Sequence, residues 1–538
     1  MNRSTLGGVG LVASVLFGCT GTVAPVPATT PAGSQPTVQA PSSPPPPRTE
    51  QVPAPPAICA AFLGAAPAAD CPASEDRLVR LDAAMSAPKT EQRDAALRTL
   101  EACPVFESGL LRALRAELAP NECADAIVGP WLEQPPPGLS LEVSQVLVGL
   151  ALSSKLARTS AQPPSIGEHL DKAHFLEVLR ERLQPWFQMQ AREIETLASE
   201  GARLSGYAKA IAAIAAGRAD LRFVESVRRV SLPAELKGDQ ELSEVYGQAL
   251  EEALEPRKRR GRDALLVGLL HLAQAGVLHD SRLVQARQLL SRAYSGSRLT
   301  TLDLLLLPEL PPLVVETPEQ RLAAALPTFY AGRLLDPRLS LDASVLRALL
   351  DNGIPPEARR QLEGAAQLTP PVANLYARGL VELGMRYFRP GDFSRAAEVA
   401  AQAAHIPGTA RAENQFLSAL AQALRGGPEN AIELFLTGPM LPSTMGDTSA
   451  LDAISKRPGP YAGMAAFDAA HILSFLPQSE PTPLRWRKIA ARFERAARLL
   501  AQPMQRTRAL ARARDAKATA EEIAEGVANP PPAEAQAP

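Results

Sequence analysis

The sequence predicts an all-α protein, a solenoid of helical hairpins that follows a disordered, proline-rich linker. Three observations predict it. Apolar residues recur at three- and four-residue steps along most of the 538-residue chain, the spacing that lines one helical face. Alternating strand patterns are nearly absent. The interruptions are short and rich in Pro or Gly, and helices joined by short turns pack antiparallel against their neighbours. Composition agrees: hydrophobic residues make up 46% of the chain, while aromatics are scarce at 4% and Ala, Leu and Arg recur. These three side chains lose little freedom in a helix.

Residues 1–18 read as an export signal. Arg3 precedes an apolar run from Leu6 to Phe17, too short to cross a bilayer but the right length for a signal-peptide core. Leu16-Phe17-Gly18-Cys19 resembles the lipobox of bacterial lipoproteins. The resemblance implies cleavage before Cys19, lipid attachment at Cys19 and a membrane-tethered protein. Thr20 rather than Asp follows Cys19, which implies the outer membrane, facing the periplasm, in a Gram-negative cell. An ordinary signal peptide followed by a lone Cys is the alternative. Residues 19–57 read as a tether: from Val23 to Ala57 there are twelve prolines in thirty-five residues, a composition that builds neither a core nor a sheet. As a polyproline-like spacer at about 3.1 Å per residue it reaches roughly 100 Å.

Residues 58–160 form a cysteine-containing helical region. Cys59, Cys71, Cys103 and Cys123 all fall early in the chain, and four cysteines allow three pairings. The sequential pairs Cys59–Cys71 and Cys103–Cys123 are favoured, since each staples a short loop between neighbouring helices; buried free thiols are the alternative. The spacings are not those of a zinc site.

Residues 161–310 read as further hairpins, and residues 311–526 as a helical solenoid ending in a basic helix. Leu380, Leu383-Gly384, Tyr387, Ala396, Ala400 and Pro407 stand at the spacings of one repeat family; Ala419, Ala431, Phe435 and Pro442 repeat part of the pattern thirty-five residues on. This region resembles the tetratricopeptide repeat, with Leu380, Ala400 and Gln422 where the family has Trp, Phe and Tyr. The resemblance implies that Gly384 faces Ala396, that Tyr387 and Phe435 fill the space between successive hairpins, and that Pro390-Gly391-Asp392-Phe393 closes the first hairpin. Hairpins bury their apolar faces only against neighbours, so a solenoid follows. Residues 527–538 read as a disordered tail.

No nucleophile elbow, zinc-protease, phosphate-loop or dinucleotide motif is present in the sequence. Glu107-Ser108 resembles the start of the lytic transglycosylase motif, but none of the later signatures of that family follows. The sequence therefore assigns no catalytic residue, cofactor or metal. Charge is more suggestive. Leu484–Lys517 holds eleven Arg or Lys against Glu494 and Asp515, a net +9 in a chain whose net charge is −1. Within it Trp486, Ile489, Phe493, Ala496 and Leu500 form an apolar seam at helical spacing. Arg485, Arg487, Lys488, Arg492, Arg495 and Arg498 are the candidate partner-binding residues, for an acidic protein or an anionic envelope component. The alternative is a terminal helix that packs by its seam and solvates its basic face. A second basic cluster, Arg257-Lys258-Arg259-Arg260 after Pro256, reads as an exposed turn. Nucleic acid is excluded as a partner by export and by the scarcity of stacking aromatics. The expected function is a non-catalytic, membrane-anchored protein-binding scaffold; an envelope enzyme or its regulator, and a structural spacer, are the alternatives.

Overall fold

The computed structural model describes residues 52–64, 71–159, 174, 177–230, 240–293, 297–335, 341–408, 410–426, 446–475 and 482–526. Among these the protein is all-α. Twenty α-helices occur, with no strand beyond an isolated bridge between Val277 and Gly353. They are α1 (Arg77–Met85), α2 (Thr90–Glu101), α3 (Ser108–Leu118), α4 (Ala124–Glu133), α5 (Leu141–Thr159), α6 (Gln184–Gly201) and α7 (Gly206–Arg228). There follow α8 (Gln240–Gln274), α9 (Ser281–Ala293), α10 (Pro318–Ala325), α11 (Thr328–Leu334), α12 (Ala343–Leu349) and α13 (Pro356–Gly364). The last are α14 (Pro370–Tyr387), α15 (Pro390–Ala404), α16 (Arg411–Leu424), α17 (Ser449–Lys456), α18 (Ala462–Phe475), α19 (Pro483–Leu499) and α20 (Pro503–Ala524).

Each helix from α14 to α20 packs on the next, as a repeat array requires. Earlier helices interlock less regularly, and α10 turns back onto α1, where Arg321 pairs with Asp82 at 2.8 Å. One apolar core runs from Cys59 to Ile472, and a second lies under the C-terminal helices. Small residues set the closest approaches. A Cβ on Gly217 of α7 would lie 2.7 Å from the carbonyl of Gly261 in α8, so these helices meet backbone to backbone.

The cysteines correct the sequential pairing. Cys59 bonds Cys123 and Cys71 bonds Cys103, with Cα atoms 5.2 and 5.3 Å apart. Cys103 precedes α3 and Cys123 follows it, so the length of this helix, about 16 Å at 1.5 Å per residue, keeps the two beyond the reach of one disulfide. Cys59 instead sits in a 3₁₀ turn, Ala57–Phe62, docked on the start of α4. An ionic cluster holds that turn. Arg115 donates to Asp94 at 2.9 Å, to Glu101 at 2.6 Å and to the Phe62 carbonyl at 3.3 Å, while Arg98 bonds Asp94 at 2.5 Å. Burial works against the Arg115 cation, but hydrogen bonds and charge from Asp94 and Glu101 outweigh it and raise its pKa.

In the core, Glu117 gathers Arg282, the Tyr207 hydroxyl at 3.1 Å and the Tyr330 hydroxyl at 3.5 Å. Burial, with the Glu117 charge beside them, pushes both phenols far above their usual range. The network ties α3, α7, α9 and α11 together; a buried charge is tolerated only when paired in this way.

Pro256 does not end a helix, and the basic cluster after it is no exposed turn: both lie within α8. Pro256 and Glu252, whose carbonyl the proline leaves without a helical partner, are both solvent-exposed. Arg260 grips the buried carboxylate of Asp220 on α7 with two bonds of 2.7 Å, and Arg257 reaches it at 3.1 Å. The cluster is therefore partly a clamp between helices.

The tetratricopeptide-like unit is a hairpin, α14 against α15. A Cβ on Gly384 would meet the Phe393 ring first, at 2.6 Å. The reversal falls at Phe388, in the left-handed region at φ 54°, and Pro390–Phe393 opens α15, where proline suits the first turn. Tyr387 is buried and donates to the Val277 carbonyl at 2.7 Å, fixing the hairpin to the turn after α8. Ala431, Phe435 and Pro442 of the second unit lie outside the described residues.

Candidate functional site: the basic C-terminal hairpin

The segment expected as one basic helix is two. Leu500 leaves the helical region at ψ 134°, and Gln502 is extended at ψ 127° before Pro503 starts α20; a proline disfavours helical geometry in the residue before it, here Gln502. The apolar seam packs as expected. Ile489, Phe493, Ala496 and Leu500 are buried, with Ala509, Ala513, Ala516 and Ala520 presenting an alanine face from α20. Phe493 meets Phe467 of α18 edge-on at 5.3 Å, an arrangement that suits the aromatic quadrupole. Trp486 is only half-buried.

The six candidate binding residues divide into two groups. Arg492 forks onto Asp452 of α17, with bonds of 2.9 and 2.6 Å that raise its pKa. Arg485 donates to the Leu473 carbonyl at 3.1 Å, and burial lowers its pKa. Both are structural. Arg487, Lys488 and Arg498 are exposed and Arg495 is half-exposed, and none of the four makes an ion pair or side-chain hydrogen bond among the described residues. Leu484, Leu499, Met504 and Leu510 are exposed on the same hairpin, Met504 to 85%. On α20 two cations are engaged in contacts to other elements: Arg508 donates to the Leu304 carbonyl at 2.9 Å, and Lys517 pairs with Glu494 at 2.5 Å.

Beneath the hairpin, α18 carries two buried titratable groups that the sequence gave no reason to single out. Asp468 accepts from the Leu306 amide at 2.8 Å, and burial pushes its pKa far up. His471 lies 2.9 Å by Nε2 from the Thr301 carbonyl; burial pushes its pKa down to about 4, with Arg512 and Arg508 adding to the effect. Their partners stand more than 160 positions away in the chain, so no local pattern marks them. An unfolded His titrates near 6.5, so between about 4 and 6.5 the unfolded chain binds more protons than the folded one. The His471 contribution, roughly 3 kcal/mol for such a shift, is then complete above about pH 6.5 and lost as pH falls toward 4. Asp468 acts in the opposite sense. The difference in urea stability between the wild type and His471→Gln should therefore shrink steadily from pH 7 to pH 4; a constant difference would contradict the assignment.

Glu107 is exposed at the start of α3 and accepts from Ser140 at 3.2 Å. Among the described residues no three His, Cys, Asp or Glu side chains converge as metal ligands, and no helix is long and apolar enough to cross a membrane. Cys19 lies outside the described residues. No protein-family model, curated protein or solved structure matches the chain.

Proposed function

We propose that the protein is an exported, lipid-anchored, non-catalytic scaffold that docks an acidic partner protein on the outer face of its C-terminal hairpin. The observation that carries this reading is the rim of Arg487, Lys488, Arg495 and Arg498, four cations without partners among the described residues, interleaved with exposed Leu484, Leu499 and Met504. Arg and Met are enriched at protein interfaces, and Arg among their hot spots. Exposed long cations and methionines add little to folding, so their concentration on one hairpin favours recognition. A polyproline-like tether with a reach of up to roughly 100 Å would let the body meet a partner that lies away from the anchoring membrane.

Two experiments test the two halves of the reading. Cys19→Ala should release the protein to the soluble fraction or leave its signal uncleaved; unchanged processing and membrane retention would contradict the anchor. A photo-crosslinker placed at Leu499 should trap one acidic protein in intact cells, with a yield that falls as salt is raised, since the Debye length is only about 8 Å at 0.15 M. A yield indifferent to salt would contradict the electrostatic docking.

A further inference from the structure

A cavity of about 320 Å³ opens between α18, α19, α20 and the segment 300–304, inward of the basic rim. Its size is at the small end of ligand pockets. Its walls carry His471 and Phe475 from α18, Trp486 and Phe493 from α19, and Arg512 and Asp515 from α20. Two polar atoms on these residues, His471 Nδ1 and Trp486 Nε1, are buried with no hydrogen-bond partner, and the His471 side chain as a whole is 3% exposed. Buried polar groups are seldom left unpaired.

The chemistry of each group says what it lacks. The Thr301 carbonyl can only accept, so His471 donates from Nε2 at 2.9 Å, and Nδ1 of the neutral ring offers a lone pair that needs a donor. The Trp486 N–H needs an acceptor. Arg512 and Asp515 make no ion pair among the described residues, so an anion and a cation each find a counter-charge. Phe475 and Phe493 supply an apolar wall. A phosphate fits poorly, because one guanidinium and one indole N–H are few donors for a dianion and Asp515 repels it. From these groups we infer that the cavity binds a free α-amino acid with an apolar side chain. The carboxylate meets Arg512 and the Trp486 N–H, the ammonium meets His471 Nδ1 and Asp515, and the side chain lies against the phenylalanines.

The test is calorimetric titration of the purified full chain with L-phenylalanine and L-leucine. At least one should bind at one per chain. Phenylethylamine, which lacks the carboxylate, and 3-phenylpropionate, which lacks the ammonium, should each bind at least tenfold more weakly than phenylalanine. Arg512→Gln and Asp515→Asn should weaken binding about tenfold or more with unchanged circular dichroism; Asp515 is solvent-exposed, so its variant folds. Trp486→Phe should remove any fluorescence change that accompanies binding. Absence of saturable binding by both amino acids, equal binding of either truncated probe, or full affinity in Asp515→Asn would overturn the inference.

Discussion

Replacing Arg115 with Ala should lower the unfolding free energy by about 3 to 5 kcal/mol, the largest loss expected from any single side chain near the N-terminal end of the body. Arg115 and both its carboxylate partners are buried, Arg115 to within 3% of full occlusion. Its removal leaves Glu101 with only Arg112 and Asp94 with only Arg98, and also frees the Phe62 carbonyl. Urea denaturation at neutral pH measures the loss directly. Arg115→Met should cost less than Arg115→Ala, because the longer side chain refills the buried space while Glu101 keeps Arg112 and Asp94 keeps Arg98 in either variant. A single variant within about 1 kcal/mol of wild type would show that the cluster is solvated in solution.

The second large effect concerns the disulfides. Changing Cys59 and Cys123 together to Ala opens a link across 64 residues, for which the loop-entropy relation gives about 4 kcal/mol. Cys71 and Cys103, separated by 32 residues, should cost slightly less. The nested pairing can be read by proteolysis and mass spectrometry of the unreduced protein, where a peptide joining Cys59 to Cys71 would contradict it. Because the Cys59 turn is also gripped by Arg115 and Arg98, the disulfide and the ionic cluster share one dock, and their losses should not add.

The helices were legible because three- and four-residue spacing is a local property, and runs such as Val143, Val146, Leu147 and Leu150 are buried as that spacing requires. What depended on distant contacts was not legible. Pro256 reads as a break until the neighbouring helix supplies Asp220 to hold the arginines that follow it. The cysteine order suggested local staples, but the disposition of pairs depends on α3 standing between Cys103 and Cys123. In the hairpin, the apolar seam from Ile489 to Leu500 was visible in sequence, whereas the division of its cations was not. Arg492 and Arg487 look alike until Asp452, forty residues upstream, takes one and leaves the other in solvent.

That division makes the docking proposal sharp. The most direct measurement compares wild type with the triple variant Arg487→Glu, Lys488→Glu, Arg498→Glu, scoring crosslinked partner at Leu499 and melting temperature on the same preparations. The three side chains are exposed, so charge reversal should leave the melting temperature within a few degrees while abolishing capture. Undiminished capture by a folded triple variant would contradict the account. It would identify the hairpin as a cap that packs by its seam and merely solvates its basic face.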